Sequence, residues 1–388
     1  MMEKMTSINP AMLTWCRETC GVSLEEDAKK FGANRVENWE NGVDFPTYSQ
    51  LQQLCDYYKK PVAVCFFPEP PTYKNLSTSF RTVPDIIGSS IFNFHTISLI
   101  NEARVMQLNL SELNDGENAP YRFFRSHIFR SDVGDLARQL REIFGVGIAR
   151  QKQIKKSSEH FEFWRDKFAS IGIFVFKDAF GNDDLSGFCL YDDVFPVIYI
   201  NNSLSFTRQL FTLFHEMCHI IYQTSGVDML NDNAFHTRLT GNDLQIERLC
   251  NAFSGAFLVP DDDFKKEIKN QQPTESVVEH LATLYGVSRE VILRKFLNLS
   301  LITYEEYAER SSVYTEDYFR VKAFSQLKGE SQGNYYNTQA AYKGNQYIEL
   351  VFRSYYASKI SLTQAANYMN MKIPSLRTFA EKRGWGII

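Results

Sequence analysis

Apolar residues recur at helical spacing along most of this chain, and in one stretch, between Ile171 and Ile200, they give way to short β-branched and aromatic runs. Near the start, Pro10 suits a first helical turn, and Leu13, Trp15 and Cys16 begin an apolar stripe that Gly21 ends. Ser23-Leu24-Glu25-Glu26 has the form of a capping box and predicts a second short helix to about Phe31. A third is expected from Asn34 through Trp39, stopped by Asn41-Gly42, and a fourth from Tyr48 to Tyr58, with Leu51, Leu54, Cys55 and Tyr58 on one face. Helix, Gly-bearing break, helix is the unit this pattern suggests, and Phe66-Phe67-Pro68-Glu69-Pro70-Pro71 punctuates its end.

Helical spacing returns from about Ile86 to Leu110 and from Val133 to Phe144, with Asn114 to Pro120 read as a loop. Ile173–Phe176, Gly187–Tyr191 and Val197–Ile200, separated by Gly, Asn, Asp and Pro, predict a small sheet. The sheet leads into a helix from about Ser205 to Tyr222 that is apolar nearly all round and therefore belongs in a core. A second helix is expected from Leu244 to Leu258, before Pro260. Val277–Tyr285 and Arg289–Leu297 around Gly286, and Lys359–Phe379, repeat the helix-turn-helix pattern without a fixed period.

Composition narrows the class. The chain is 44% hydrophobic and 23% charged, as soluble globular proteins are, and its 388 residues call for more than one core. A formal net charge of −4 excludes a chain whose whole surface binds nucleic acid but leaves room for a local basic patch. Seven scattered cysteines suit reduced, buried thiols better than a disulfide framework. With no apolar leader at the N-terminus and no run near the roughly 20 residues that span a bilayer, a cytoplasmic location without a membrane partner is expected. The 14% aromatic content reads as core packing.

The chemistry concentrates in His215-Glu216-Met217-Cys218-His219. Histidines four apart lie on one helix face and can direct two imidazole nitrogens at one ion, which suits Zn2+. Glu216 follows the first histidine and is placed to act as general base on zinc-bound water, the ion polarising the scissile carbonyl. A catalytic zinc site takes three protein ligands, and no third histidine follows at close spacing, so a carboxylate is expected. Glu247, an acid in the otherwise apolar second helix, is the best candidate; Asp228, Asp232 and Asp243 in the polar connection are alternatives. Asn251, four residues beyond Glu247, shares its face and can bond the far nitrogen of a ligand histidine. His236 and Tyr222 are within chain distance as oxyanion donors, and spacing favours neither.

Phe211–His219, followed by Ile246-Glu247-Arg248-Leu249-Cys250-Asn251-Ala252-Phe253 and ending in Phe257-Leu258-Val259-Pro260, resembles the ImmA/IrrE metallo-endopeptidases. Gly187–Asp193 with Pro196-Val197-Ile198 is similar to the sheet preceding the zinc helix in that family. The N-terminal segment resembles the Cro/repressor-type helix-turn-helix fused to such peptidases. The resemblance implies an α+β, mostly helical protein with a zincin-like fold, zinc on His215, His219 and Glu247, and Glu216 as base. Four segments are then expected: a helix-turn-helix-like bundle over 1–71, a helical connector over 72–165, a metallopeptidase core with its small sheet over 166–270, and a helical region with helix-turn-helix-like motifs over 271–388. The implied substrate is a transcriptional repressor-like protein, which is an analogy of fold.

One departure bears on DNA as a partner. The expected recognition helix, Ala33–Glu40, offers one Arg against two Glu, whereas base and phosphate contacts rely on Arg, Lys, Asn and Gln. The segment reads equally as a bundle for protein contact or autoinhibition. Two functional classes therefore stand: a zinc endopeptidase acting on a regulatory protein, and a DNA-binding regulator or antitoxin-like interaction protein with a structural or vestigial zinc site.

Overall fold

The structure is a computed structural model that describes residues 3–20, 22–58, 60–70, 94–181, 185–229, 242–269, 271–327 and 334–385. Gly21, Pro71, the first residues of the helix expected from Ile86, Asp232 and His236 lie outside these, as does the side chain of Asp243. The chain forms two compact units, one comprising Met1–Glu102 with Phe180–Asn182 and the other Ala103–Ala179 with Asp183–Ile388.

In the first unit the helices are α1 (Pro10–Thr19), α2 (Leu24–Phe31), α3 (Arg35–Glu40) and α4 (Tyr48–Tyr57), followed by a 3-10 turn at Val62–Phe66. Both halves of the Ser23/Glu26 capping box form, and a second box, Thr47 with Gln50, starts α4. Leu13, Cys16, Val36, Trp39, Leu51, Leu54, Cys55 and Tyr58 make one buried cluster. Helix α3 spends Val36 and Trp39 on that core, and its Glu40 accepts from Arg17 Nε at 2.7 Å and Nη2 at 3.0 Å. The expected recognition helix is thus short, with Glu40 bonded inward.

The second unit contains most of α5 (Phe94–Leu113), then α6 (Ala119–His127), α7 (Val133–Phe144), α8 (Ile148–Lys152) and α9 (Ser157–Ser170). The expected loop ends earlier than Pro120. Asn118 caps α6 by accepting from Tyr121 N, and Pro120 occupies the first turn, where a missing N–H costs nothing. Strands β1 (Phe174–Asp178), β2 (Leu185–Leu190), β3 (Val197–Asn201) and β4 (Val227–Met229) form a mixed sheet of order β1-β3-β2-β4. β1 runs parallel to β3, while β2 is antiparallel to both β3 and β4. The fold is accordingly α+β and mostly helical with a small sheet. The fourth strand was not expected, since Val-Asp-Met is too short to show a strand period.

Between β3 and β4 runs α10 (Phe206–Ile221), capped by Ser205, whose hydroxyl accepts from Arg208 N. It is followed after β4 by α11 (Asn242–Leu258), α12 (Asp261–Glu267), α13 (Glu275–Tyr285) and α14 (Arg289–Asn298). Helix α10 is buried from Leu213 through Ile221, as its apolar circumference requires. Its Phe214 stacks on Phe257 of α11 with centroids 4.1 Å apart, and Trp164 lies 5.0 Å from Phe257 and 5.4 Å from Phe214. Helices α13 and α14 contribute Val278, Leu281, Tyr285, Ile292, Leu293 and Phe296 to the same core, which is what their helix-turn-helix pattern encodes.

Two buried side chains bond the carbonyls at helix C-termini in this unit. Gln151 is fully buried and donates from Nε2 to Leu258 O and Tyr285 O, at the C-terminal ends of α11 and α13. Arg165 does the same for α16 (Tyr335–Lys343), donating to Ala341 O and Tyr342 O, after α15 (Tyr304–Leu327). Helix α17 (Asn345–Tyr356) lays Tyr347 on Phe174 and Phe176 of β1, and α18 (Leu362–Tyr368) and α19 (Ile373–Lys382) realise the last expected helix pair. Among the described residues no helix is long and apolar enough to cross a membrane, and all seven cysteines are buried and free.

Truncating Phe257 to Ala removes the ring shared by α10, α11 and the Trp164 cluster. The expected loss is about 3–5 kcal/mol, read from the midpoint and slope of denaturant unfolding. A loss under about 1 kcal/mol would mean the cluster is not what holds the two helices together.

Candidate metal centre

Helix α10 brings His215 and His219 to one face, and α11 packs against that face with Glu247 and Asn251. Three side chains meet at one point. His215 Nε2 lies 3.1 Å from Glu247 Oε2, His219 Nε2 lies 3.3 Å from Glu247 Oε1, and the two Nε2 atoms are 3.2 Å apart. All three side chains are almost completely buried.

The far side of each ring decides where its proton sits. Asn251 Oδ1, an acceptor, is 3.0 Å from His215 Nδ1, which therefore carries the hydrogen and donates it. Thr224 Oγ1 is 3.2 Å from His219 Nδ1 and gives its own hydrogen to His219 O at 3.2 Å, so it accepts from that ring. In their neutral forms both imidazoles are thus Nδ1–H tautomers, with Nε2 lone pairs aimed at each other and at a carboxylate. That arrangement calls for positive charge between them, which a proton on His215 or a bound cation supplies. Bonds of about 2.0–2.2 Å at tetrahedral angles separate ligand atoms by about 3.3–3.5 Å, so the observed triangle fits a divalent ion closely.

Charge around the cluster agrees with the geometry. Burial alone pulls the His215 imidazolium down, but Asp228 and Glu247 outweigh it and hold it well above its ordinary range. Burial raises the Glu247 carboxyl, yet His219 and His215 hold it well below the usual carboxylate range. Glu216 differs: burial pushes its carboxyl up to about 7 against the pull of the histidines and of the Cys189 thiol, and neither of its buried oxygens has a hydrogen-bond partner at bonding distance among the described residues. A fully buried, unbonded carboxyl beside a cation site is costly for structure alone and suited to exchanging a proton with a bound molecule.

A second grouping is possible. His215, His219 and Cys250 offer ligand atoms within 4.8 Å of one another, a set compatible with a metal ion. Glu247 is the closer third donor, since its oxygens sit at the ligand spacing while the thiol is bounded only by the looser limit. Cys250 also lies against Cys218, and burial raises its thiol well above its ordinary value, which disfavours the thiolate a metal needs.

Several residues that position the site have no motif of their own. Gln223 adopts φ 59 after α10, folding Thr224 under His219. Gly226 follows, and a Cβ there would stand 2.3 Å from His219 Cδ2. Asp228 on β4 is occupied, its two oxygens accepting from Arg208 Nη2 at 3.0 Å each and from Thr212 Oγ1 at 2.7 Å, so it does not join the converging donors. Arg208 also donates to Ser186 Oγ, which ties α10 to β2 and β4. Tyr222 ends α10 half-buried, with Arg130 over its ring and bonded to its carbonyl. A spacing argument could have found none of these, because each acts through a turn or a sheet edge.

An α+β unit with a His–His cluster fit for a metal, carried on a helix that follows a small mixed sheet, defines a metallopeptidase type of domain. Residues 168–297 match the family model of the IrrE N-terminal-like domain, Peptidase_M78. The match supports the ImmA/IrrE family and a peptidase over that part of the chain; it does not extend to the N-terminal helices. No curated protein matches the chain.

Two substitutions probe the positioning groups. Gly226→Ala is expected to push the His219 ring out of place and empty the site of metal in elemental analysis, while Gly147→Ala, where a Cβ meets nothing within 4 Å, leaves metal content unchanged. Asn251→Ala should weaken metal affinity by about 10–100-fold in a chelator competition; undiminished affinity would show that the Nδ1 bond does not orient the ligand.

Proposed function

We propose that the chain is a zinc-dependent endopeptidase that cleaves a regulatory, repressor-like protein, with His215, His219 and Glu247 holding the ion and Glu216 serving as general base. The observation that carries the reading is the triangle of bare Nε2 and carboxylate donors beside the unpartnered Glu216 carboxyl. Two imidazoles and one carboxylate are a donor set suited to zinc with a position left open. The substrate class comes from the resemblance alone, while the family match, which extends across both site helices, supports a peptidase.

Zinc held there acidifies water and polarises a carbonyl. The chain's own groups do the rest. Asn251 and Thr224 fix the two rings so that neither can rotate its Nε2 away. Glu216, dry and without a competing partner, is free to take a proton from water at a carboxylate oxygen and return it to the leaving amine nitrogen. Burial of all four side chains keeps these interactions in a low dielectric, where they are strongest.

The test pairs metal content with cleavage. The zinc-loaded full chain is incubated with a proteome-derived peptide library and with candidate repressors, and new N-termini are read by mass spectrometry. Glu216→Gln should keep one zinc per chain and lose cleavage by at least about a hundredfold, and Glu247→Ala should lose the zinc itself. Cleavage that survives Glu216→Gln overturns the assigned base; zinc retained in full by Glu247→Ala moves the third ligand to Cys250.

A further inference from the structure

Behind the metal centre, a cleft of ≈ 970 Å³ lies among α7, α10, α11, α12 and α14. Its size is at the upper end of small-molecule sites, about 300–1,000 Å³. None of His215, Glu216, His219 and Glu247 lines it, although Asn251 does. It is therefore a separate cavity that shares one residue with the support of His215.

The lining is cationic in a chain that is acidic overall. Seven lining residues are basic and three are acidic, against a net charge of −4 for the whole sequence. Two of the acids already accept bonds, Asp261 from Lys295 at 2.5 Å and Glu290 from Tyr307. Three of the cations are likewise engaged, Arg141 with Gln151 and Phe257 O, Arg208 with Asp228 and Lys295 with Asp261. Arg138 pairs with Asp135 at 2.6 Å, and Arg294 pairs with Glu290 at 3.8 Å and lies over the Tyr307 ring, the ion pairs being exposed and of small net strength. Among the described residues Arg248 and Lys265 make no ion pair, and both are exposed.

Backbone dipoles add to this. The first turns of α7, α10 and α14 border the cleft with Gly134, Thr207 and Val291, so three positive helix ends lie at its edge, each with one or two N–H groups taken by its cap, Asp132, Ser205 or Ser288. The remaining surface is mixed, with hydroxyls and amides beside the apolar Ala137, Phe211, Ala252 and Ala256. Guanidinium groups and helix N-termini together recognise phosphate, and an apolar wall with one half-buried aromatic ring suits a flat organic body.

We propose that this cleft binds a phosphate-bearing small molecule of the nucleotide class, separately from the metal centre. The phosphates meet Arg138, Arg248, Lys265 and Arg294, and the organic body lies toward Phe211. Because Asn251 lines the cleft and also bonds His215 Nδ1, occupancy bears on the orientation of the metal-side ring.

The probes are magnesium ATP and magnesium pyrophosphate, measured by equilibrium dialysis on the full chain, a readout that does not involve proteolysis. Saturable binding of ATP is expected, with pyrophosphate weaker. An Arg248→Ala/Lys265→Ala double variant should weaken ATP at least about tenfold, whereas Arg122→Ala, an exposed arginine that does not line the cleft, leaves it unchanged. No saturable binding of either probe at millimolar concentration, or equal binding by the double variant, overturns the site. Pyrophosphate binding as tightly as ATP overturns the nucleotide class. Loss of cleavage without loss of ATP binding bears only on the peptidase reading.

Discussion

Two imidazole nitrogens that face each other 3.2 Å apart, both bare in the neutral tautomers that Asn251 and Thr224 select, are the constraint on which the second unit depends. Asn251 and Thr224 accept from the far nitrogens, so neither ring can relieve the repulsion by changing tautomer, and Glu247 adds negative charge on the same side. Ordinary packing would rotate one ring outward or place a donor between them. Here the surroundings forbid both, because the rings are buried and their Nδ1 bonds hold them. The folded chain is arranged around a positive charge at this point, which a proton on His215 or a bound cation can supply.

The rest of the domain can be read as what keeps the three donors in register. Helix α10 supplies two of them and α11 the third, so the relative position of these helices must hold to a few tenths of an ångström. The Phe214–Phe257–Trp164 cluster fixes them from within the core, and Gln151 anchors the end of α11 through Leu258 O. On the sheet side, Arg208 and Thr212, about two turns and one turn before the first histidine, reach Asp228 and pin α10 to β4. Gly226 completes the wall, since only a residue without Cβ lets that backbone pass against the His219 ring. Aromatic packing, a charged network and a glycine approach thus converge on one pair of helices.

How much of this was legible in the sequence depends on the range of the interaction. Local signals read well: the Ser23 capping box, Val133–Phe144, and the helix that Ser205 caps all form where the pattern places them. The paired histidines and Glu247 were also legible, because helical spacing converts directly into a shared face, and Asn251 follows from Glu247 by one more turn. What was not legible is longer in range or lies in irregular backbone. Thr224 and Gly226 gain their roles only from the left-handed Gln223 turn, and Asp228 only from a three-residue strand with no period to detect. Asp228 shows the cost of that blindness, since as a ligand alternative it looked free in sequence and is bonded three times in the fold.

The same asymmetry separates the two faces of α11. Toward α10 the helix presents Glu247, whose carboxylate is buried against the two histidines; elsewhere the small residues Ala252, Gly255 and Ala256 leave room, and Arg248 lines the space. Asn251 lies between, with one side in the cleft and its Oδ1 on His215. A helix that must hold a metal ligand to high precision would ordinarily be packed with large side chains on all sides. Here it is stiffened at its C-terminal end, where Gln151 bonds Leu258 O and Phe257 joins the aromatic cluster, and left open along its middle. Precision at the donor triangle and space behind it are therefore reconciled by where the stiffening is placed, and Asn251 is the one residue through which a change in that space reaches the metal side.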